Sequence, residues 1–185
     1  WQGTSASFYN PHGLTVDSAG VVYVADLYNN RIRKITPLGA VTTLAGTGSY
    51  GASNGSGTSA TLNAPVGLAV DGSGKLFVGD SENHLIRLIL PNGTVSTFAG
   101  SGNGWADGRG TSASFGVVFH LTFAANGNLL VADETNHRIR MITPLGVVTT
   151  IAGGSSSGYL DSHGTASLFN VPIGVTVSPS GTLYI

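Results

Sequence analysis

One polar pattern recurs along this chain at fixed spacing. Asp26, Asp80 and Asp133 are each followed three residues later by an amide, Asn29, Asn83 and Asn136, and seven residues later by an arginine, Arg33, Arg87 and Arg140. Carboxylates and amides gathered from separate turns could surround a metal ion or carry out acid–base chemistry. The same side chains also accept or donate backbone hydrogen bonds in tight turns, and a guanidinium can brace a carboxylate and several carbonyls together. A group that repeats in every copy serves something that repeats in every copy. These nine residues are therefore read as structural repeat positions, with no catalytic residue among them.

Other candidate motifs are less specific. Gly46-Thr47-Gly48-Ser49-Tyr50-Gly51 has the spacing of a dinucleotide-binding loop, but no helix follows to meet a pyrophosphate. Asn54-Gly55 and Asp107-Gly108 resemble parts of calcium loops, yet one carboxylate per loop is too little charge for a tight site. No metal or other cofactor is expected. Asn54 and Asn92 each open a glycosylation sequon in a predicted surface turn, so both are possible glycosylation sites.

The elements that must position these residues come from an internal repeat. Segments 13–46, 67–100 and 120–153 align without gaps, and a fourth copy opens at 174. Gly13 recurs as Gly67 and Asp26 as Asp80, a period of about 54 residues and of the length that propeller repeats take. Each copy holds four short apolar or alternating runs, in the first Leu14–Asp17, Val21–Ala25, Arg31–Thr36 and Val41–Ala45. Turn residues such as Ser18-Ala19-Gly20 and Pro37-Leu38-Gly39 separate them. Four antiparallel strands per repeat predict an all-β fold of propeller-type blades. The inter-blade loops are 47–66, 101–119 and 154–173, each with a Gly-Thr-Ser-Ala-like block, and the same block stands at 3–8.

Departures from the repeat are the better functional candidates. The third copy replaces the Pro and Gly that open the others with Val118-Phe119-His120. His120, with His12 at the neighbouring register of the first copy, is a weak candidate metal ligand. Trp105 and Tyr159 align in the long loops and, with Phe119, are candidates for an interaction surface; for the two loop aromatics, capping of the blade's hydrophobic edge is the plainer reading. His84 and His137 stand where the first copy has Asn30, which suits a hydrogen-bonding turn residue better than a general base.

The segments Val24–Ile35, Val78–Ile89 and Val131–Ile142, each of the form Asp-x-x-Asn-(His/Asn)-x-Ile-Arg, resemble the NHL repeat over essentially all 185 residues. The resemblance implies a β-propeller of about six blades, with the Gly-Leu-x-Val-Asp strand innermost and the Val-Thr-Thr-Leu-Ala-Gly strand outermost. Three full copies would then make a partial ring, completed by the remainder of the same polypeptide or by another copy.

Composition narrows the partners. Charged residues are 9% of the chain and the net charge is −1, so nothing attracts nucleic acid or an anionic membrane, and an RNA-binding propeller is a distant reading. No apolar run reaches the roughly 18 residues of a membrane span. There is no cysteine for a disulfide, a thiolate zinc site or a thiol nucleophile. The expectation is a non-catalytic binding or assembly module, extracellular or at the cell surface, with a protein or glycan ligand. The alternative is a metal-dependent lyase or hydrolase using the propeller channel.

Overall fold

The computed structural model describes residues 5–185; Gly3 and Thr4 of the first Gly-Thr-Ser-Ala block lie outside the described residues. Each full repeat folds into consecutive antiparallel strands. The first sheet runs β1 (Pro11–Val16), β2 (Val22–Asp26), β3 (Arg31–Ile35) and β4 (Val41–Ala45) in that order. The second repeat gives β5 (Gly55–Ser56), β6 (Pro65–Val70), β7 (Leu76–Asp80), β8 (Leu85–Ile89) and β9 (Thr94–Ala99). The third gives β10 (Gly108–Arg109), β11 (Val118–Phe123), β12 (Leu129–Asp133), β13 (Arg138–Ile142) and β14 (Val147–Ala152). β15 (Thr176–Val177) pairs with β16 (Leu183–Tyr184). These are sheets of propeller-blade type.

Sequence and structure differ over strand number. The second and third sheets have five strands, ordered β5-β9-β8-β7-β6 and β10-β14-β13-β12-β11. The additional strand comes from the inter-blade loop, where Gly55 pairs with Val95 and Gly108 with Val148. Gly-Ser and Gly-Arg have no strand propensity of their own, so pairing with the preformed outer edge makes them strands.

Local chemistry explains the connections. At the first turn Asp17 accepts the Ala19 and Val21 N–H groups and the Tyr23 hydroxyl, and Asp71 accepts the Ser73 and Lys75 N–H groups. The Val21 bond leads the causes that hold the Asp17 carboxyl below its usual range. Between second and third strands the chain makes one 3-10 turn, such as Leu27–Asn29, closed by a residue in the left-handed region: Asn30 (φ 50°), His84 (58°) or His137 (58°). Asn enters that region at low cost, which accounts for the first copy.

Apolar residues fall on the strands and pack sheet against sheet. The chain divides into two compact units, Trp1–Asn83 with Arg87–Thr97, and His84–Ile86 with Phe98–Ile185. In the first, Tyr23, Ala25, Ile32 and Ala45 of one sheet meet Leu68, Leu76, Val78 and Ile89 of the next, with Ala60 and Leu62 of the loop closing the core. The first strands come so close that a Cβ on Gly13 would run into the Val66 carbonyl. In the second unit Leu130, Ala132 and Ile139 pack with Val175.

Candidate functional site

The recurrent polar residues assemble one node per repeat at the end of the second strand. In the second copy the buried Asp80 carboxylate accepts the Asn63 N–H (2.7 Å), the Asn83 amide (2.8 Å) and Arg87 Nη1 (2.8 Å). Arg87, fully buried, also donates to the carbonyls of Thr61 and Ser53 and to Asn54 Oδ1 (2.9 Å). The third copy repeats this pattern. Asp133 accepts from Gly116 N–H, Asn136 and Arg140, and Arg140 donates to the carbonyls of Ser114 and Ala106 and to Asp107 (2.9 Å). In the first copy Asp26 accepts from Tyr9 N–H, Asn29 and Arg33, and Arg33 reaches the Ser7 carbonyl. Asn83 and Asn136 donate in addition to the carbonyls of Gly51 and Gly104. Each node thus ties the second and third strands of a blade to the loop that precedes that blade.

The electrostatics follow from burial. Desolvation pushes the Asp80 and Asp133 carboxyls up, against the pull of the N–H, amide and guanidinium donors around them. Phe8 and Phe115 cover the Arg33 and Arg140 guanidinium groups at 5.1 Å, and Leu62 holds the same position in the second copy. Asp107 is different. Partial burial would raise its pKa, but the Thr150 N–H and hydroxyl and the Arg140 guanidinium overcome this and hold it below the usual range. Its folded pKa lies below its unfolded one, so its contribution is present above the unfolded value and is lost as pH falls through the folded value. An Asp107→Asn chain should therefore lose less stability than wild type as pH falls below about 4 in thermal melts. Equal acid limbs would contradict this.

The signature His/Asn position forms a second tie. Asn30 Oδ1 accepts the Ala64 N–H (2.9 Å), and His137 Nδ1 accepts the Val171 N–H (3.1 Å). Ala64 and Val171 both have positive φ, in the left-handed region just before a proline, where a β-branched residue is strained. The tie therefore holds an unfavourable backbone. In the intervening copy the Val117 N–H goes to Thr135 Oγ1, and the buried Nδ1 of His84 makes no hydrogen bond. His137→Asn should keep the tie, as Asn30 does, whereas His137→Ala should cost about 1 kcal/mol in denaturant unfolding.

The remaining candidates lie apart from the nodes. His12 is exposed in β1, and His120 is half-buried in β11, where its Nδ1 faces the Val175 N–H at 3.4 Å and burial lowers its pKa. Among the described residues no three or more His, Asp or Glu side chains are grouped to hold a metal ion. Trp105 is 63% exposed and Tyr159 90%, while Phe119 is half-buried in its strand. Arg138 stacks on the Trp105 ring at 5.3 Å, beside a groove of about 570 Å³ lined by Asp107, Thr150 and Ser155. Asn92 is exposed at a turn tip. Asn54 is exposed too, but its side-chain carbonyl serves Arg87 as Asp107 serves Arg140. That job was not read from the sequence, although the shared register of Asn54 and Asp107 in the loops signalled it. No described helix is long and apolar enough to cross a membrane.

Comparison with known proteins agrees with this geometry. The NHL repeat family profile matches residues 8–35 and 62–87. The chain is 32% identical to NHL repeat-containing protein 2 of Bos taurus over 98% of its own length, which is 26% of that protein. It spans between 8% and 26% of the length of the curated relatives it matches. Among solved structures, an auxiliary nutrient binding protein from Bacteroides ovatus superposes with a TM-score of 0.75 at 21% identity, over 93% of this chain and 44% of that one. A virginiamycin B lyase from Staphylococcus aureus gives 0.55 at 18% identity, over 92% and 53%. Both share the fold. With three copies of the signature, its nodes and these matches in register, the chain is an NHL-repeat domain.

Proposed function

We propose that this NHL-repeat domain is a non-catalytic binding and assembly module, one arc of a propeller of about six blades, whose inter-blade loops take a protein or glycan ligand outside the cell. One observation carries the reading: the recurrent acids, amides and arginines are engaged in tying each blade to the loop that precedes it, while the aligned loop aromatics Trp105 and Tyr159 are turned to solvent. Exposed Trp and Tyr on a rigid scaffold are the residue types that dominate recognition. Binding to immobilised neutral oligosaccharides and purified extracellular proteins tests it. A binder found with the wild-type chain should lose about tenfold or more in affinity with Trp105→Ala or Tyr159→Ala, and nothing with Leu145→Ser. Full affinity in both aromatic variants would overturn the reading. Stoichiometric zinc in the purified protein, lost in His120→Ala, would favour the lyase-type alternative.

A further inference from the structure

We infer that the groove in which Arg138 stacks on Trp105 is a binding subsite for a carboxylate-bearing sugar, a uronate unit of an acidic glycan. It rests on the proposed ligand-binding role of the loop aromatics and narrows that role to one groove and one ligand chemistry. The groove belongs to the third repeat. Arg138 opens β13 and Thr150 lies on the adjoining β14, while Trp105 and Asp107 come from the loop before this blade and Ser155 from the loop after it.

The Trp–Arg pair is not part of the repeat. The second repeat has Ala52 and Leu85 at the same two positions. The first repeat keeps the arginine, Arg31, but turns it onto its own chain, where Nη2 donates to the Thr47 carbonyl at 2.9 Å. In the third repeat Gly154 stands at the Thr47 position, and the guanidinium goes instead to the Trp105 ring, 5.3 Å from its centroid. Among the described residues Arg138 has neither a hydrogen bond nor an ion pair, so its N–H edge is open while the ring fixes its plane. Trp105 is mostly exposed, yet its backbone is held on both sides. The Gly104 carbonyl accepts the Asn136 amide (2.6 Å), the Ala106 carbonyl accepts Arg140 Nη2 (2.9 Å), and the Ala106 N–H donates to Ser114 Oγ (2.8 Å). The pair is therefore set before a ligand arrives, which avoids much of the ordering entropy that loop side chains lose on binding.

The walls select the ligand. A stacked guanidinium with a free edge offers a planar fork of donors that matches a carboxylate. Asp107 beside it is already engaged: Oδ1 accepts from Arg140 and the Thr150 hydroxyl, and Oδ2 from the Thr150 N–H. Asp133, Arg140 and Asp107 together carry one excess negative charge, which Arg138 balances, so a singly charged group suits the site better than a phosphate dianion. Thr150, Ser155 and Thr165 add hydroxyl-bearing side chains to a groove of about 570 Å³, a size usual for small-molecule sites. A pyranose uronate has a C–H face for the indole, hydroxyls for the rim and a carboxylate for Arg138. An acidic peptide side chain would use the guanidinium and leave the ring and the hydroxyls unmatched.

The test uses the full chain carrying Trp1→Phe, in which Trp105 is the one remaining tryptophan. Short oligomers of galacturonate, mannuronate and glucuronate, each with its carboxyl-reduced counterpart, are titrated against Trp105 fluorescence and by calorimetry. At least one uronate series should bind, and its reduced form should bind about tenfold or more weakly. Arg138→Gln should bring the uronate down to the level of the reduced sugar, Arg138→Lys should recover only a small part of the difference, and Arg31→Gln should change nothing. The reduced sugar makes the same comparison on unaltered protein, so the test does not depend on how a variant folds. The inference is overturned if no uronate binds at millimolar concentration, if the reduced form binds equally well, or if Arg138→Gln binds as wild type does. It is equally overturned if acidic peptides or sulfated oligosaccharides bind this groove more tightly than every uronate. Binding of a neutral glycan or a protein that needs Trp105 but not Arg138 removes this inference and leaves the proposed function standing.

Discussion

An Arg87→Met chain is expected to lose about 3–5 kcal/mol of unfolding free energy at pH 7, read from urea denaturation. Methionine fills much of the volume, so the loss comes chiefly from leaving the fully buried Asp80 carboxylate without its cation. Burial already pushes that carboxyl upward, and removing Arg87 pushes it further. The folded pKa then stands above the unfolded one. Stability from such a group is complete below the unfolded pKa and is lost as pH rises through the folded one, so the variant should lie nearest wild type at acid pH and worst at neutral pH and above. A deficit that did not grow with pH would show that the carboxylate is compensated by Asn83 and the Asn63 N–H alone. Replacing Asp80 by Leu together with Arg87→Met should recover part of the loss, since a buried ion pair contributes little net stability relative to an apolar pair. The Thr61 carbonyl and Asn54, however, would still lack the Arg87 donor, and the Ser53 carbonyl would keep only the Thr61 N–H.

Gly46→Ala is expected to cost roughly 3 kcal/mol. The residue closes the fourth strand with φ at +98°, and a Cβ there would strike the Asn30 carbonyl of the left-handed turn. Gly153 is placed identically against the His137 carbonyl, at φ +95°. Gly39 separates the two causes. Its φ is positive as well, but a methyl group there would meet nothing within 4 Å. Gly39→Ala should therefore cost only the backbone term, about 1 kcal/mol. Equal losses at positions 39 and 46 would refute the steric account.

The strands and the repeat were legible because side chains carry them. Apolar runs between Asp, Asn, Gly and Pro turns placed β2, and by register β7 and β12, to within a residue of the observed bounds. Half of each node was legible too: Asp, Asn and Arg stand seven residues apart or fewer and recur. The other half was not, because Ser53, Thr61, Ala106 and Ser114 act through backbone carbonyls, which leave no mark on residue type. The tie from His137 was hidden for a related reason. Its donor sits on Val171 in a conformation that valine propensity argues against, so tertiary bonding overrides the local preference. The opposite holds at His120, a departure visible in sequence whose chemistry the fold does not gather with other ligands among the described residues.

Arg87 and Arg140 each reach back 33 residues for a side-chain acceptor, and this offset decides what can be copied, grafted or inherited as one piece. A duplication that carried only the aligned repeat segment 120–153 would part Arg140 from Asp107 and Asp133 from Gly116. A cassette beginning at Gly100, ahead of the loop, and ending at Ala152 keeps every such pair in the third repeat together. Swapping repeats between NHL proteins at that boundary should therefore succeed where swaps between sheet boundaries fail, and the loop, with whatever it recognises, must travel with the blade that follows it.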